Sequence, residues 1–190
     1  THTLAAPEAS SVGFIGAGAQ SAMTWTGLRH LRDWDKVVAT DIDPARARAL
    51  TPATLPDAQA VADAADVVVL ATWSRSPLLH AARPGQHLTT LGADEPGKVE
   101  LSRELLSTSR VIVDDLDLVI SAGALGNTGL DATHAAGTFG QVLRGEIPAH
   151  VSGPSVYAPI GLPWQDLALS WTLYEQAKST GTGQHADLLA

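Results

Sequence analysis

Residues 12–21 read VGFIGAGAQS, an apolar run that leads directly into a glycine turn and then into residues of helical composition. This order of strand, turn and helix is typical of the first unit of a dinucleotide-binding fold. In such a turn Gly16 permits the sharp change of direction, and Gly18 has no side chain to keep the backbone away from a pyrophosphate. Ser21 stands where Gly or Ala usually completes the pattern, and it is small enough to preserve close packing of the helix on the strand.

The helix after this turn is predicted to begin near Ala19. Its free N–H groups and the positive end of its dipole would face the bound diphosphate, as at other helix starts that bind anions. The residues assigned to the cofactor on this basis are Gly16, Gly18, Ala19, Gln20 and Ser21.

Asp41 is the second element of the predicted cofactor site. It follows the strand-like segment 37–40 and comes about 20 residues after Gly18, where a carboxylate accepts hydrogen bonds from the adenosine ribose and repels a 2′-phosphate. We therefore expect NAD rather than NADP. The alternative is that the glycines only form a turn, and that Asp41 and Asp43 cap a helix beginning at Pro44.

The rest of the chain repeats the alternation of strand and helix. Strand-like segments occur at 37–40, 67–71, 87–91 and 111–114, and segments of helical composition occur at 19–31, 44–50, 57–65 and 100–107. The segment VVVLA at 67–71 is apolar without alternation, which is typical of a central parallel strand covered on both faces. We predict the α/β class, with a doubly wound parallel sheet in a Rossmann-type NAD-binding domain.

The predicted organisation has three segments. Residues 1–11 form an N-terminal extension, residues 12–183 form the dinucleotide-binding domain, and residues 184–190 form a tail. The domain includes a C-terminal helix that is apolar over most of its circumference and is expected to end at the glycines near 181.

Composition excludes several classes of function. The chain has 190 residues, a formal net charge of −8 and no cysteine. Its scattered basic residues offer no footprint for nucleic acid, and the lack of cysteine removes disulfides, thiolate metal ligands and thiol nucleophiles. We interpret Asp114, Asp115 and Asp117 as solvated carboxylates and predict no metal site. No apolar run approaches the roughly 20 residues that span a bilayer, and no signal peptide is evident, so we expect a cytoplasmic protein.

A loop after the segment 87–91 carries candidate catalytic residues. It reads GADEPGKVEL at 92–101, with Asp94 and Lys98 on either side of a Pro-Gly turn. Ligands of doubly wound sheets bind beyond the carboxyl ends of the strands, so Asp94 could move protons beside a nicotinamide while Lys98 lowers its pKa or holds a substrate carboxylate. The alternative is an acidic loop that caps a helix beginning at Glu100.

Five blocks of the sequence resemble the ornithine cyclodeaminase/mu-crystallin family. They are GAGAQS at 16–21, ADVVVLAT at 65–72, PGQH at 84–87, GADEPGKVEL at 92–101 and GLPWQDLA at 161–168. The resemblance covers 12–183 and implies hydride transfer between a nicotinamide and the Cα of a small amino acid or cyclic imine. It also implies that Asp94 is the acid/base residue and Lys98 the lysine of the same loop. The residues that it places along the dinucleotide are Thr72, Trp73 and Ser74.

The sequence departs from this family before the glycine turn. Family members carry a further domain there, which supplies cations for the substrate carboxylate and much of the dimer surface. Arg75, Arg83 and Lys98 are candidates to replace those cations. Two functions stay open: an NAD-dependent oxidoreductase or cyclodeaminase, and a non-catalytic NAD-binding subunit or sensor. We expect a homo-oligomer, or a partner chain that supplies the substrate domain.

Overall fold

The computed structural model describes residues 1–187, and these residues fold as an α/β structure built on parallel strands. The strands are β1 (Ser11–Ile15), β2 (Lys36–Thr40), β3 (Val67–Leu70), β4 (Arg75–Leu79), β5 (His87–Thr90), β6 (Val99–Leu101), β7 (Arg110–Val113), β8 (Ala135–Thr138) and β9 (Ser155–Ala158). Within the described part of the chain, one sheet has the order β2-β1-β3-β5-β9-β7-β8 and a second, two-stranded sheet pairs β4 with β6. Every neighbouring pair in both sheets is parallel.

This topology confirms the predicted fold class and locates the crevice between strands. The chain runs from β1 to β2 on one side, and then returns to place β3 on the other side of β1. In an open parallel sheet, the point where the strand order reverses leaves a crevice at the carboxyl ends of the two strands, and ligands bind there. The carboxyl ends of β1 and β3 are therefore where a site is expected.

The helices are α1 (Ala19–Leu31), α2 (Pro44–Leu50), α3 (Ala58–Ala64), α4 (Arg103–Thr108), α5 (Leu116–Ser121), α6 (Ala124–Asn127), α7 (Phe139–Leu143), α8 (Pro163–Thr180) and a 3-10 helix at Ala132–His134. Of these, α1, α2, α3 and α8 lie where helices were predicted, whereas the helices between 116 and 143 were not predicted. The helix predicted from Glu100 begins later, because Glu100 lies in β6. Ser102 is the actual N-cap of α4, and its Oγ accepts the Leu105 N–H at 3.1 Å.

The core lies on both faces of the seven-stranded sheet. All four residues of β3 are buried, as the unbroken apolar run predicted. Residues before β1 also reach the core, since Leu4, Ala5 and Ala9 are buried. Short strands such as β9 were not predicted, because the four residues of SVYA carry too little pattern to separate a strand from a loop.

The chain divides into two compact units, Thr1–Ile160 and Gly161–Ala190. The second unit is mostly α8, an 18-residue helix in which no residue is buried. It ends as predicted at Gly181, whose φ of 65° is left-handed. The segment boundaries at 11 and 183 stay predictions, and residues 188–190 of the predicted tail lie outside the described residues. No helix in the described part is long and apolar enough to cross a membrane.

Candidate functional site

A cavity of about 560 Å³ opens at the carboxyl ends of β1 and β3. The structure brings six of the predicted cofactor residues to its wall: Gly16, Gly18, Asp41, Thr72, Trp73 and Ser74. Ala19 and Gln20 lie exposed on the first turn of α1 and are not among the residues that line it. Several residues of the wall were not predicted, including Ile42 and Arg46 after β2 and Pro56 before α3.

The two glycines of the turn differ in what requires them. Gly16 has a φ of +84°, and a Cβ there would lie 2.5 Å from the carbonyl oxygen of Ala71. The fold itself therefore demands glycine at position 16. Gly18 has an ordinary φ of −82°, and a Cβ there would meet nothing within 4 Å. A side chain at position 18 would therefore enter open space. Gly18 is also the N-cap of α1, and no side chain caps the first-turn N–H groups of this helix.

Ser21 fixes α1 to the glycine turn. The residue is fully buried, and its hydroxyl donates to the carbonyl oxygen of Gly16 at 2.5 Å. A larger residue would push the helix away from β1, so Ser21 supports the shape of the turn from behind.

Asp41 and Asp43 have separate tasks. Asp43 caps α2, since its carboxylate accepts the Ala45 N–H at 2.9 Å. Asp41 instead accepts the Ala17 N–H at 2.6 Å and the Asp43 N–H at 2.8 Å, and it lines the cavity. The capping alternative is thus correct for Asp43, while Asp41 ties the end of β2 to the glycine turn.

The loop after β5 encloses the ammonium of Lys98. Its Nζ lies 2.9 Å from Asp94 Oδ1, 3.4 Å from Glu95 Oε1 and 3.9 Å from the ring centroid of Trp73. Burial lowers the pKa of Lys98, but the hydrogen bonds and charges of Asp94 and Glu95 outweigh it and raise the pKa above its usual value. Lys98 is therefore a permanent cation that holds Asp94, whose side chain remains 42% exposed.

Glu100 adjoins the cavity wall through Thr72, although a helix was predicted to begin at this residue. Its carboxylate is fully buried and accepts hydrogen bonds from the segments that follow β3 and β5. A glutamate three residues before α4 gave no local signal of this role, because its partners lie 8 to 28 residues away in the sequence.

Arg83 and Arg75, two of the candidates to hold the substrate carboxylate, lie in different parts of the structure. Arg83 pairs with Asp66 at 3.5 Å and donates to the carbonyl oxygen of Ala65, at the amino end of β3. It cannot reach the cavity at the opposite end of that strand. Arg75 begins β4 and is exposed, and its Nη1 would lie 3.2 Å from a Cβ built on Gly97. Arg75 therefore stands beside the loop that holds Asp94.

Asp114 and Asp115 were interpreted as solvated carboxylates, but both are half-buried and accept backbone N–H groups, whereas Asp117 is exposed. Asp114 accepts the Ile160 N–H at 3.0 Å, and Asp115 caps α5 through the Leu118 N–H at 2.9 Å. Over residues 1–187, no three acidic or histidine side chains are grouped as metal ligands.

Comparison with known proteins finds one matching family and several similar sequences. The sequence profile of the ornithine cyclodeaminase/mu-crystallin family matches residues 1–181. Alanine dehydrogenase of Archaeoglobus fulgidus is 32% identical over 95% of this chain and 61% of its own length. Iminosuccinate reductase of Paracoccus denitrificans is 28% identical over 97% of this chain and 62% of its own.

Solved structures agree with these sequence relatives. An archaeal alanine dehydrogenase dimer with bound NAD superposes with a TM-score of 0.90 at 28% identity, covering 99% of this chain and 63% of that one. The Paracoccus denitrificans iminosuccinate reductase in complex with NAD⁺ gives 0.85 at 26% identity, covering 98% and 62%. This chain thus spans about three fifths of the length of these relatives.

Proposed function

Because the chain belongs to the ornithine cyclodeaminase/mu-crystallin family, we propose that it binds NAD(H) in the cavity at the carboxyl ends of β1 and β3. We further propose that it acts in hydride transfer at the Cα of a small amino acid or cyclic imine. When bound, the nicotinamide supplies the hydride donor or acceptor; the protein supplies binding, orientation and proton transfer.

One observation carries the cofactor proposal: nothing in the fold explains glycine at position 18. Its backbone conformation suits any residue, and a side chain would enter open space. A glycine beside an uncapped helix start is explained by a diphosphate that must approach the backbone closely. The cavity volume of about 560 Å³ lies in the range of small-molecule and cofactor sites.

Asp41 supports NAD over NADP. Its carboxylate is fixed at the end of β2 by the Ala17 and Asp43 N–H groups and lines the cavity. Oriented in this way, it would accept hydrogen bonds from the ribose hydroxyls and repel a 2′-phosphate.

Asp94 is the proposed proton-transfer residue. Lys98 holds one of its oxygens at 2.9 Å, and the carboxylate stays partly exposed. A carboxylate of fixed position can accept a proton from a substrate amine and return it. Lys98 acts on the reaction only through Asp94, because its ammonium is covered by two carboxylates and the ring of Trp73.

A further surface completes the proposal. Large apolar side chains of α8 are each more than half exposed: Trp164, Leu167, Leu169, Trp171, Leu173 and Tyr174. We propose that a second copy of this chain covers them, since apolar patches of this kind mark interaction sites. Sedimentation should find a dimer; a monomer that pairs only with a different chain would favour the partner-chain alternative. The cytoplasmic location expected from the sequence remains part of this proposal.

The test is a titration of the chain with NADH, followed by tryptophan fluorescence and melting temperature. We expect saturable binding and a higher melting temperature, because a ligand that binds only the folded state stabilises it. Millimolar NADH without effect on either would overturn the cofactor proposal.

The activity is tested by replacing Asp94. Asp94→Asn should lower amino-acid-dependent NADH formation by about 100-fold or more while NADH affinity stays nearly unchanged. Asp117→Asn, an exposed carboxylate at the start of α5, is the matched control. If the unaltered chain binds NADH but yields no turnover with any amino acid or imine, the non-catalytic subunit is the better description.

A further inference from the structure

Glu100 lies on β6 with its carboxylate surrounded by hydrogen-bond donors. Oε1 accepts the N–H of Thr72 at 2.7 Å and its hydroxyl at 2.8 Å. Oε2 accepts the Thr90 hydroxyl at 2.7 Å and the Gly92 N–H at 2.9 Å. Both oxygens are thus occupied by donors, and two of these donors are backbone amides.

These donors belong to two neighbouring strand ends, and the end of β3 forms part of the cavity wall. Thr72 follows β3 and starts the wall formed with Trp73 and Ser74, while Gly92 follows β5 and starts the loop of Asp94. The two backbones touch, because a Cβ on Gly92 would lie 2.2 Å from the carbonyl oxygen of Thr72.

We propose that Glu100 is a positioning residue, whose ionised carboxylate holds the segment 72–74 against the end of β5 in the arrangement that receives the dinucleotide. The proposal rests on the proposed function, since it assigns Glu100 to the same cavity. It adds a residue that is not among those lining the cavity and that acts through Thr72.

A carboxylate suits this place because it only accepts hydrogen bonds. A glutamine would replace one oxygen with an NH₂ group, which would face the backbone N–H of either Thr72 or Gly92 in both orientations. A hydroxyl can turn to accept instead, but a backbone amide cannot. Glu100→Gln therefore leaves one backbone donor opposite another donor, at nearly constant side-chain volume.

The electrostatics argue against a role in stability alone. Burial raises the pKa of Glu100 even though the four donors lower it. A raised pKa means that folding opposes the charge, so the ionised group costs stability at pH values above its pKa. A neutral polar or apolar pair could close the two segments without that cost, and ionisable groups with a perturbed pKa cluster at functional sites.

Asp66 provides a matched control at the other end of β3. Its Oδ2 accepts the N–H groups of Ser10 and Ser11 at 3.2 Å each and the Ser11 hydroxyl at 2.6 Å. It is thus a carboxylate that joins strand segments in the same manner, but it is not part of the cavity wall.

The experiment measures NADH affinity and melting temperature for the unaltered chain, Glu100→Gln, Thr90→Val and Asp66→Ala. We expect the dissociation constant to rise about tenfold or more in Glu100→Gln and about threefold in Thr90→Val, which removes one hydroxyl donor. In Asp66→Ala it should stay within about twofold while the melting temperature falls by at least as much as in Glu100→Gln.

Each outcome is decisive. If Glu100→Gln binds NADH as tightly as the unaltered chain, the role of Glu100 is overturned and the proposed function stays intact. The same conclusion holds if Asp66→Ala also loses NADH affinity in proportion to its fall in melting temperature. Failure of the unaltered chain to bind NADH would overturn the proposed function instead. If Glu100→Gln does not fold, Thr90→Val against Asp66→Ala decides in the same way.

Discussion

Asp66 and Glu100 join strand segments at opposite ends of the seven-stranded sheet, and the pKa values of the two carboxylates shift in opposite directions. At the amino end of β3, burial raises the pKa of Asp66, but the hydrogen bonds from Ser10 and Ser11 outweigh burial, so the pKa is lowered. At the carboxyl ends of β3 and β5, burial of Glu100 outweighs its hydrogen bonds from four donors, so its pKa is raised. The charge of Asp66 therefore stabilises the fold, whereas ionisation of Glu100 costs stability.

Gly92 and Gly18 also differ in the space around them. Gly92 is required by close contact of two backbones, whereas Gly18 adjoins open space. Packing therefore explains glycine at position 92, whereas the proposed cofactor would explain glycine at position 18. Substitutions at these positions separate the two demands.

The largest expected effect is at Gly92. Gly92→Ala places a methyl group 2.2 Å from the Thr72 carbonyl oxygen, so we expect a loss of about 3 kcal/mol in the free energy of unfolding. Gly18→Ala should cost at most about 1 kcal/mol, since Ala is a poorer N-cap than Gly, yet it should weaken NADH binding by tenfold or more, roughly the cost of crowding a diphosphate. Urea unfolding and NADH titration measure both. A Gly18→Ala variant with unaltered affinity would contradict the division between packing and ligand.

The contribution of the Asp66 charge is tested by the pH dependence of the free energy of unfolding. Because the pKa of Asp66 is lowered, its charge stabilises the fold above the ordinary carboxylate pKa, and this contribution is lost as pH falls through the lowered pKa. Asp66→Ala should therefore lower the free energy of unfolding by about 1–2 kcal/mol at neutral pH, and the difference should shrink in acid. Urea unfolding at several pH values follows this difference; a gap that widens in acid would reverse the sign assigned to Asp66.

The smallest expected effect is at Trp73, which is 79% exposed and covers Lys98. Trp73→Leu removes a cation–π contact worth about 0.5–1 kcal/mol at an exposed site. NADH affinity should change by less than about threefold, while much of the fluorescence response should vanish, because Trp73 lines the cavity. Calorimetry measures affinity independently of that signal. A full fluorescence response in Trp73→Leu would place the reporting tryptophan elsewhere.

Local sequence patterns predicted the elements whose determinants are local. The bounds of α1 and α2 agree with the prediction because a glycine turn and an Asp-Pro start mark them. The spacing of Asp94 and Lys98 on either side of one turn offered their pairing as one of two interpretations, and the structure shows the pair at 2.9 Å. Glu100 could not be found in this way, since its partners at 72, 90 and 92 meet only after three strands align. Likewise, the position of Trp73 over Lys98 depends on two loops that no local pattern relates.

Helix α8 has a consequence for spectroscopy. An isolated helix of 18 residues is close to the length at which helix and coil have similar free energies in water, and most helices in proteins are stabilised by a packed face. Several large apolar side chains of α8 are more than half exposed, and a second copy of the chain that covers them would supply a packed face that stabilises the helix. Its ellipticity should therefore rise with protein concentration, and the helix–coil transition of this segment would report assembly directly.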